Sequence, residues 1–344
     1  LIVVDDGSTD GSAALAESFG ASVVRHQVPL GPAAARNLGA RAATAPLVFF
    51  LDADVAVHPQ TLSRALKRFV DNPELGALFG SYDANPSAPG LVSQFRNLLH
   101  HYVHQQGEFV ADARSARTFW TGCGAIRRQV FLDLGGFDPR LYRRPAIEDI
   151  EFGYRLTRAG FPVILARDIQ ATHRKRWTLT GMVKTDIFQR GVPWMLLMKR
   201  SGIVETDLNV RNDQKLCVAM AGLMSLALIA ALWWPATLAL VVLGVFAIVS
   251  LNWGFYRFLK RERGWGFAMA SIPLHYLYYC SCGISVIIAL GLWKLSTRSK
   301  SSAETTLNTG GEVRKDPAKE QTVPQPKTTW AWRPSRWTTR WTRR

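Results

Sequence analysis

Residues 47–55 read LVFFLDADV: five large apolar side chains, then two carboxylates, Asp52 and Asp54, one residue apart. The apolar run is short, aromatic and aliphatic, and follows Pro46, so it predicts a buried β-strand rather than a helix. Asp52 then leaves the sheet edge. Side chains two apart in a strand point the same way, and a turn here still lets both acids converge on one ligand. Burying two unpaired carboxylates is costly, or pushes one pKa up strongly, so a cation is their natural partner. A solvated acidic turn is the alternative that a lone D-x-D leaves open.

Outward from this strand, residues 1 to about 200 alternate strand-like and helix-like stretches, which predicts an α/β domain with a mostly parallel central sheet. LIVVD and SVVRH read as strands, and AAARNLGARAA as the helix before residue 47. PQTLSRALKRFVDN is a helix with Pro59 near its first turn. LGALFGSY is a strand, residues 91–105 a helix, and FWTGCGAIRR a strand with a turn. EDIEFGYRLTRAG has acids at its start, Arg155 and Arg158 in its last turns and a closing Gly160, the signals of a helix. PVILA is the last strand, and residues 179–198 form an amphipathic helix. Ligands of open α/β sheets collect at the carboxyl ends of strands. Asp5 and Asp6 end one strand and Asp52 and Asp54 another, so the two pairs are expected to face one cleft.

Composition shifts after residue 200. Residues 216–234, 236–255 and 267–293 carry no Asp, Glu, Lys or Arg. Each is close to the roughly 20 residues needed to cross a bilayer, and Pro235 divides the first two. Lys199, Arg200, Arg211 and Lys215 precede the first stretch, and Arg257, Lys260, Arg261 and Arg263 follow the second. Both flanks are therefore expected in the cytosol, with the globular part, at a cell inner or plasma membrane. A third span would carry the basic tail outside, against the same rule. Either residues 265–280 lie in the interface or re-enter, or a long tail escapes the rule. The expected organisation is a globular domain over 1–200, a linker over 201–215, a membrane region of two to three helices over 216–295, and a disordered basic tail over 296–344.

The net charge of +16 does not make this a nucleic-acid-binding protein, because about half of it lies after Lys294. The final segment, WAWRPSRWTTRWTRR, mixes Trp with Arg as interfacial segments do. Cys123, Cys217, Cys280 and Cys282 show no zinc spacing and read as reduced structural thiols. Leu1 opens inside an apolar strand with no initiator Met, so the chain is expected to be N-terminally truncated.

Taken in order, VVDDGSTDGS, GPAAARNLGARAA, FFLDADV, TGCGAIRR, GGFDP and EDIEFGYRLTRAG resemble the family 2 glycosyltransferases, inverting enzymes of the GT-A fold. The likeness covers roughly residues 1–195, without the strand and helix that precede VVDD in the family. It implies a nucleotide-sugar donor (a UDP-, GDP- or dTDP-sugar), a lipid, lipid-linked or saccharide acceptor, and Mg²⁺ or Mn²⁺ as cofactor. It implies Asp54 as metal ligand, Asp52 on the ribose or on the metal through water, and His173 as a further metal ligand. It places Asp5, Asp6, Arg36 and Asn37 at the nucleotide, Asp149 beside Glu148 as the base, and Trp120, Gly122 and Cys123 at the acceptor.

Bland readings stand beside each of these. Arg36 also suits a helix-surface ion pair, Glu148 and Asp149 suit a helix N-terminus, and Trp120 and His173 suit a core. RKRW over 174–177 lacks the spacing of the Q-x-x-R-W signature of processive synthases, which favours transfer of single sugars. A second reading is a catalytically impaired membrane scaffold derived from such an enzyme.

Overall fold

The computed structural model describes residues 1–203 and 208–309. The chain runs β1 (Ile2–Asp5), α1 (Ser12–Ser18), β2 (Ser22–Arg25), α2 (Pro32–Ala42), β3 (Leu47–Leu51), β4 (Val55–Val57) and α3 (Thr61–Asp71). Then come β5 (Ala77–Tyr82), α4 (Leu91–His104), β6 (Ala113–Ser115), β7 (Cys123–Arg127), α5 (Arg128–Asp133), α6 (Glu148–Arg158) and β8 (Val163–His173). The expected amphipathic helix over 179–198 is three pieces: α7 (Leu179–Lys184), a π-helical turn (Thr185–Gly191) and α8 (Val192–Ser201). Pro193 is the reason. It has no N–H to give, so it fits the start of a new helix and not the interior of a long one. Further helices are α9 (Asn212–Ala230), α10 (Leu238–Leu251), α11 (Trp253–Ala270) and α12 (Ile272–Thr309).

The main sheet has six strands in the order β3-β7-β5-β8-β4, with β6 also on β8. It is mixed: only β5 and β8 pair in parallel, and the other pairings are antiparallel. β7 starts at the sheet end where β3 finishes, with Leu51 opposite Cys123. β1 and β2 form a separate parallel pair. Both faces of the main sheet are covered, and period-two alternation sorts the side chains. Phe79 and Leu165 join Phe50, Phe119, Phe131, Phe137 and Phe152 on one face. Leu78 and Ala166 join Phe69, Cys123 and Ile169 on the other. Within the phenylalanine cluster, ring centroids of Phe131 lie 5.0 Å from those of Phe137 and Phe152. Such pairs add about 0.5–1.5 kcal/mol each beyond area burial.

Among the described residues, two helices are long and apolar enough to cross a membrane, Asn212–Ala230 and Ile272–Thr297. Between them, Pro235–Leu251 and Trp253–Ala270 form a pair bent by 75°. The stretch over 236–255 is therefore not one straight helix. It breaks at Asn252, whose side chain donates back to the Ile248 carbonyl (2.9 Å). The basic residues Arg257, Lys260, Arg261 and Arg263 ride on α11, beyond the bend. Leu226, Ile229, Leu243, Phe246 and Ile287 are exposed on these helices. Phe95, Leu98 and Leu99 of α4 pack with Cys217, Met224, Phe255, Leu259 and Tyr279, so α4 joins the α/β domain to the later helices.

The four cysteines are free thiols. Contacts unite Leu1–Ser296, and Thr297 onward is a second unit. The expected tail, with WAWRPSRWTTRWTRR, lies outside the described residues from 310 on, as does 204–207 of the expected linker.

Candidate active site

Sheet register places the first pair of groups. Val55 of β4 sits opposite His173 of β8, which carries the adjacent Asp54 to the His173 ring. Asp54 Oδ2 and His173 Nε2 are 3.6 Å apart, and the Arg174 amide donates to the Asp54 carbonyl (2.8 Å). His173 stacks on Tyr82 at 4.2 Å, and its Nδ1 bonds Asn97 Oδ1 on α4. With an amide oxygen as acceptor, Nδ1 carries a proton, so in the neutral ring the lone pair is on Nε2, the atom that faces Asp54. Two electron-rich atoms at this spacing both reach one ion at ordinary bond lengths of about 2.0–2.2 Å. The fixed Nδ1 is the orienting bond that metal-ligating histidines use. The pair thus fits a divalent cation, although no cluster of three or more His, Cys, Asp or Glu ligands occurs among the described residues. The remaining ligands would have to come from a bound molecule.

Asp52 is differently placed. Arg36 of α2 donates through Nη2 to Asp52 Oδ1 (2.7 Å) and through Nη1 to Glu148 Oε1 (2.6 Å). Burial opposes the Arg36 charge, but the carboxylates of Asp52 and Glu148 outweigh it and raise the guanidinium pKa. Arg36 is therefore an internal clamp between the end of β3 and the start of α6, as the ion-pair reading of its helix allowed. Glu148 is buried, its Oε1 bonded to Arg36 and its Oε2 accepting from the Ala146 amide (3.1 Å), so both oxygens are held in place at the cavity wall.

Asp149 faces the cleft from the first turn of α6. Its Oδ2 accepts from the Thr121 amide (3.1 Å) and hydroxyl (3.3 Å), and Oδ1 from the Ile150 amide (2.8 Å). Burial first, then the neighbouring Glu148 carboxylate, push its pKa up to about 6, against Arg36 and the two amides. Gly153 makes this placement possible. A Cβ there would stand 2.4 Å from the Phe119 backbone nitrogen, so only glycine lets α6 lie on residues 118–119 beside Thr121.

A cavity of about 680 Å³ takes in Arg36, Asp52, Asp54, Trp120, Glu148, Asp149 and His173. The other expected residues stand outside its lining. Asp5 is held by the Ser8 amide (2.8 Å) and Arg25 (2.9 Å). Asp6 is held by His26 (2.6 Å) and the amides of Leu30 and Gly31 (3.0 and 2.8 Å). Both belong to the separate β1–β2 pair, so the two acidic pairs do not share this hollow. Asn37 is buried, and its amide brackets the Phe137 backbone (2.8 and 2.9 Å), which leaves it nothing to offer a nucleotide. Gly122 has a steric role: the Trp120 indole folds over it, 2.3 Å from where a Cβ would be. Cys123 lies inside the sheet, its thiol pushed up to about 12 by burial, and cannot meet an acceptor. Trp120 does line the cavity, packed on Tyr82 and His100 at 4.8 and 4.7 Å.

Sequence reasoning did not single out Thr121, His100 or Arg190, which also line the cavity. Arg190 had one legible signal, a Gly-Val-Pro sequence interrupting a helical pattern at 191–193.

Residues 1–135 match the model of glycosyl transferase family 2. Over those residues the chain is similar to the family 2 glycosyltransferases. The chain is 31% identical over 232 residues to validoxylamine A glucosyltransferase of Streptomyces hygroscopicus, a match covering 57% of this chain and 54% of that protein. Identity to the pre-mycofactocin glycosyltransferase of Mycobacterium tuberculosis is 27%, over 52% of this chain and 39% of the relative. The chain spans about half the length of the first of these curated relatives and less of the second. Among solved structures, a mannosyltransferase from Pyrobaculum calidifontis in complex with GDP-Man and Mn²⁺ superposes with a TM-score of 0.51 at 17% identity, covering 80% of this chain and 77% of that one. The fold is GT-A-like.

Proposed function

We propose that this protein is a membrane-anchored, inverting glycosyltransferase that moves a sugar from a nucleotide-sugar donor to a lipid, lipid-linked or saccharide acceptor. The observation that carries the reading is Asp149, a carboxyl with a raised pKa, in the same cavity as the Asp54–His173 pair. A base working near neutral pH needs its pKa close to the working pH and a place within reach of the acceptor hydroxyl. Asp149 takes that proton while the acceptor oxygen bonds the anomeric carbon and the bond to the diphosphate breaks. Asp54 and His173 would hold Mg²⁺ or Mn²⁺, which when bound offsets the charge that grows on the leaving diphosphate. Arg36 pairs with both Asp52 and Glu148 and so offsets part of the negative charge that those two acids would present to a diphosphate. Trp120 offers an aromatic face to the sugar or acceptor. The basic flanks of the apolar helices support a cytosolic position for the domain.

The test is donor hydrolysis by the full chain across UDP-, GDP- and dTDP-sugars with Mg²⁺ or Mn²⁺. One donor is expected to turn over, and Asp54→Ala to lower the rate about 100-fold or more while removing metal-dependent nucleoside diphosphate binding. Metal-independent binding that Asp54→Ala leaves unchanged would instead make the domain a non-catalytic scaffold.

A further inference from the structure

The cavity does not stop at the carboxylates. It continues past the π-helical turn to the helices beyond, where Met195, Met198, Val218, Tyr278 and Val286 line it. Val218 belongs to α9 and Tyr278 and Val286 to α12, the two helices long and apolar enough to cross a membrane. The cavity therefore runs from the charged strand termini to a region among these helices where apolar side chains sit beside Lys199, Gln214 and Lys215.

Arg190 stands where the two meet. The π-helical turn that carries it abuts α12 so closely that a Cβ on Gly191 would lie 2.2 Å from Ser285 Oγ. Toward the other end, the Arg190 charge acts on Tyr82, Asp186 and Asp149. Among the described residues, no hydrogen bond or ion pair engages its guanidinium, although burial and the nearby Arg96 both act against its charge. Arg96 is committed to Asp186 Oδ1 in a buried ion pair. Asp186 is 5% exposed, and its Oδ2 has no hydrogen-bond partner. Arg190 is half-buried and lines the cavity with its donors unpaired among the described residues, so they are open to an anion there, and its planar fork suits phosphate oxygens. The free Asp186 oxygen asks for an O–H, which a singly protonated phosphate carries.

We propose that Arg190, with Arg96 and Asp186 behind it, forms the headgroup subsite for a phosphate-bearing amphiphile from the membrane, the phosphate on Arg190 and the hydrocarbon chain between α8, α9 and α12. This rests on the glycosyltransferase reading, since it makes the amphiphile the acceptor or the carrier of the acceptor. It narrows the acceptor to a lipid phosphate or to a hydroxyl group carried on one.

The experiment is calorimetric titration of the full chain in neutral detergent with farnesyl phosphate, farnesol, inorganic phosphate, and a nucleoside diphosphate with Mn²⁺. Farnesyl phosphate is expected to bind about 10-fold or more tightly than either fragment, and Arg190→Gln to weaken it by a similar factor, with Arg190→Lys between. Val286→Trp, which fills the end among the helices, should weaken farnesyl phosphate and leave inorganic phosphate unchanged. Inorganic phosphate binding as tightly as farnesyl phosphate would mean a soluble ligand and overturn the proposal. So would Arg190→Gln leaving farnesyl phosphate affinity intact, or weakening the nucleoside diphosphate instead. No turnover is needed for this readout. A failure of the enzyme reading would appear separately, as nucleoside diphosphate binding that ignores Mn²⁺ and Asp54.

Discussion

A carboxyl in the first turn of a helix normally titrates low, because the positive helix end favours its charge. Asp149 goes the other way because burial and the Glu148 carboxylate outweigh the helix end and Arg36. Catalysis should therefore rise with pH through a limb near 6, as Asp149 loses its proton, and Asp149→Asn should abolish that limb with a rate loss of about 100-fold or more for a hydroxyl acceptor. An acceptor whose own phosphate is the nucleophile needs no base and would spare Asp149→Asn. Stability has the opposite sign. The native state holds this proton more tightly than the unfolded chain does, so the contribution is present below about pH 3.8 and lost as pH rises through about 6. Asp149→Asn should accordingly raise the melting temperature at pH 7.5, by an amount worth up to about 3 kcal/mol, and lose that advantage near pH 4. Asn37 makes the contrasting case. Asn37→Ala strands the buried Phe137 amide and carbonyl, and should cost roughly 2–4 kcal/mol in denaturant unfolding without altering donor affinity.

At the scale of elements, α4 does two tasks. His101 and His104 bond the carbonyls of Tyr82 and Gly80 on β5 (2.6 and 3.1 Å), while Phe95 and Leu98 pack against the later helices. α11 closes the arrangement from the other side. Arg263 donates to the Ala84 carbonyl and to Gln94 Oε1, both 2.9 Å, and so fastens α11 to the loop after β5 and to α4. Arg263→Ala should free this junction by about 1–2 kcal/mol. Amide hydrogen exchange is the measure: faster exchange is expected over residues 84–94, with β3 and β7 unchanged. Unaltered exchange over 84–94 would show that packing alone holds the two parts.

For the whole molecule, the proposed orientation sets the α/β domain and the basic residues of α11 on one side of the membrane and the turn between α9 and α10 on the other. That turn carries the exposed Trp233 and Trp234 at the end of α9, the kind of interfacial belt that aromatic residues form. A cysteine at Thr237 should react with an impermeant maleimide on intact cells, whereas one at the exposed Leu66 of α3 should react only after permeabilisation. Reaction at both positions in intact cells would reverse the orientation.

Most strands and helices of the α/β domain, the acids at strand ends, and the apolar stretches after residue 215 were determined by the sequence alone, whereas the short β4 and β6 and the break within 179–198 were not. The former rest on propensity and periodicity, which act between neighbours along the chain. LVFFLDADV became β3 and the turn into β4, and EDIEFGYRLTR became α6 from Glu148 to Arg158. Tertiary structure decided which acids stay available. Arg36 lies 16 residues from Asp52 and 112 from Glu148, so no local pattern could show that it clamps both. The β4–β8 register brings His173 to Asp54, while the separation of β1–β2 from the main sheet leaves Asp6 outside the hollow. Arg190 is one basic residue among many in the sequence. Only its place on the cavity wall beside α12, half-buried and without an ion-pair partner among the described residues, makes it a site, because the fold and not the local sequence decides which charges stay unpaired.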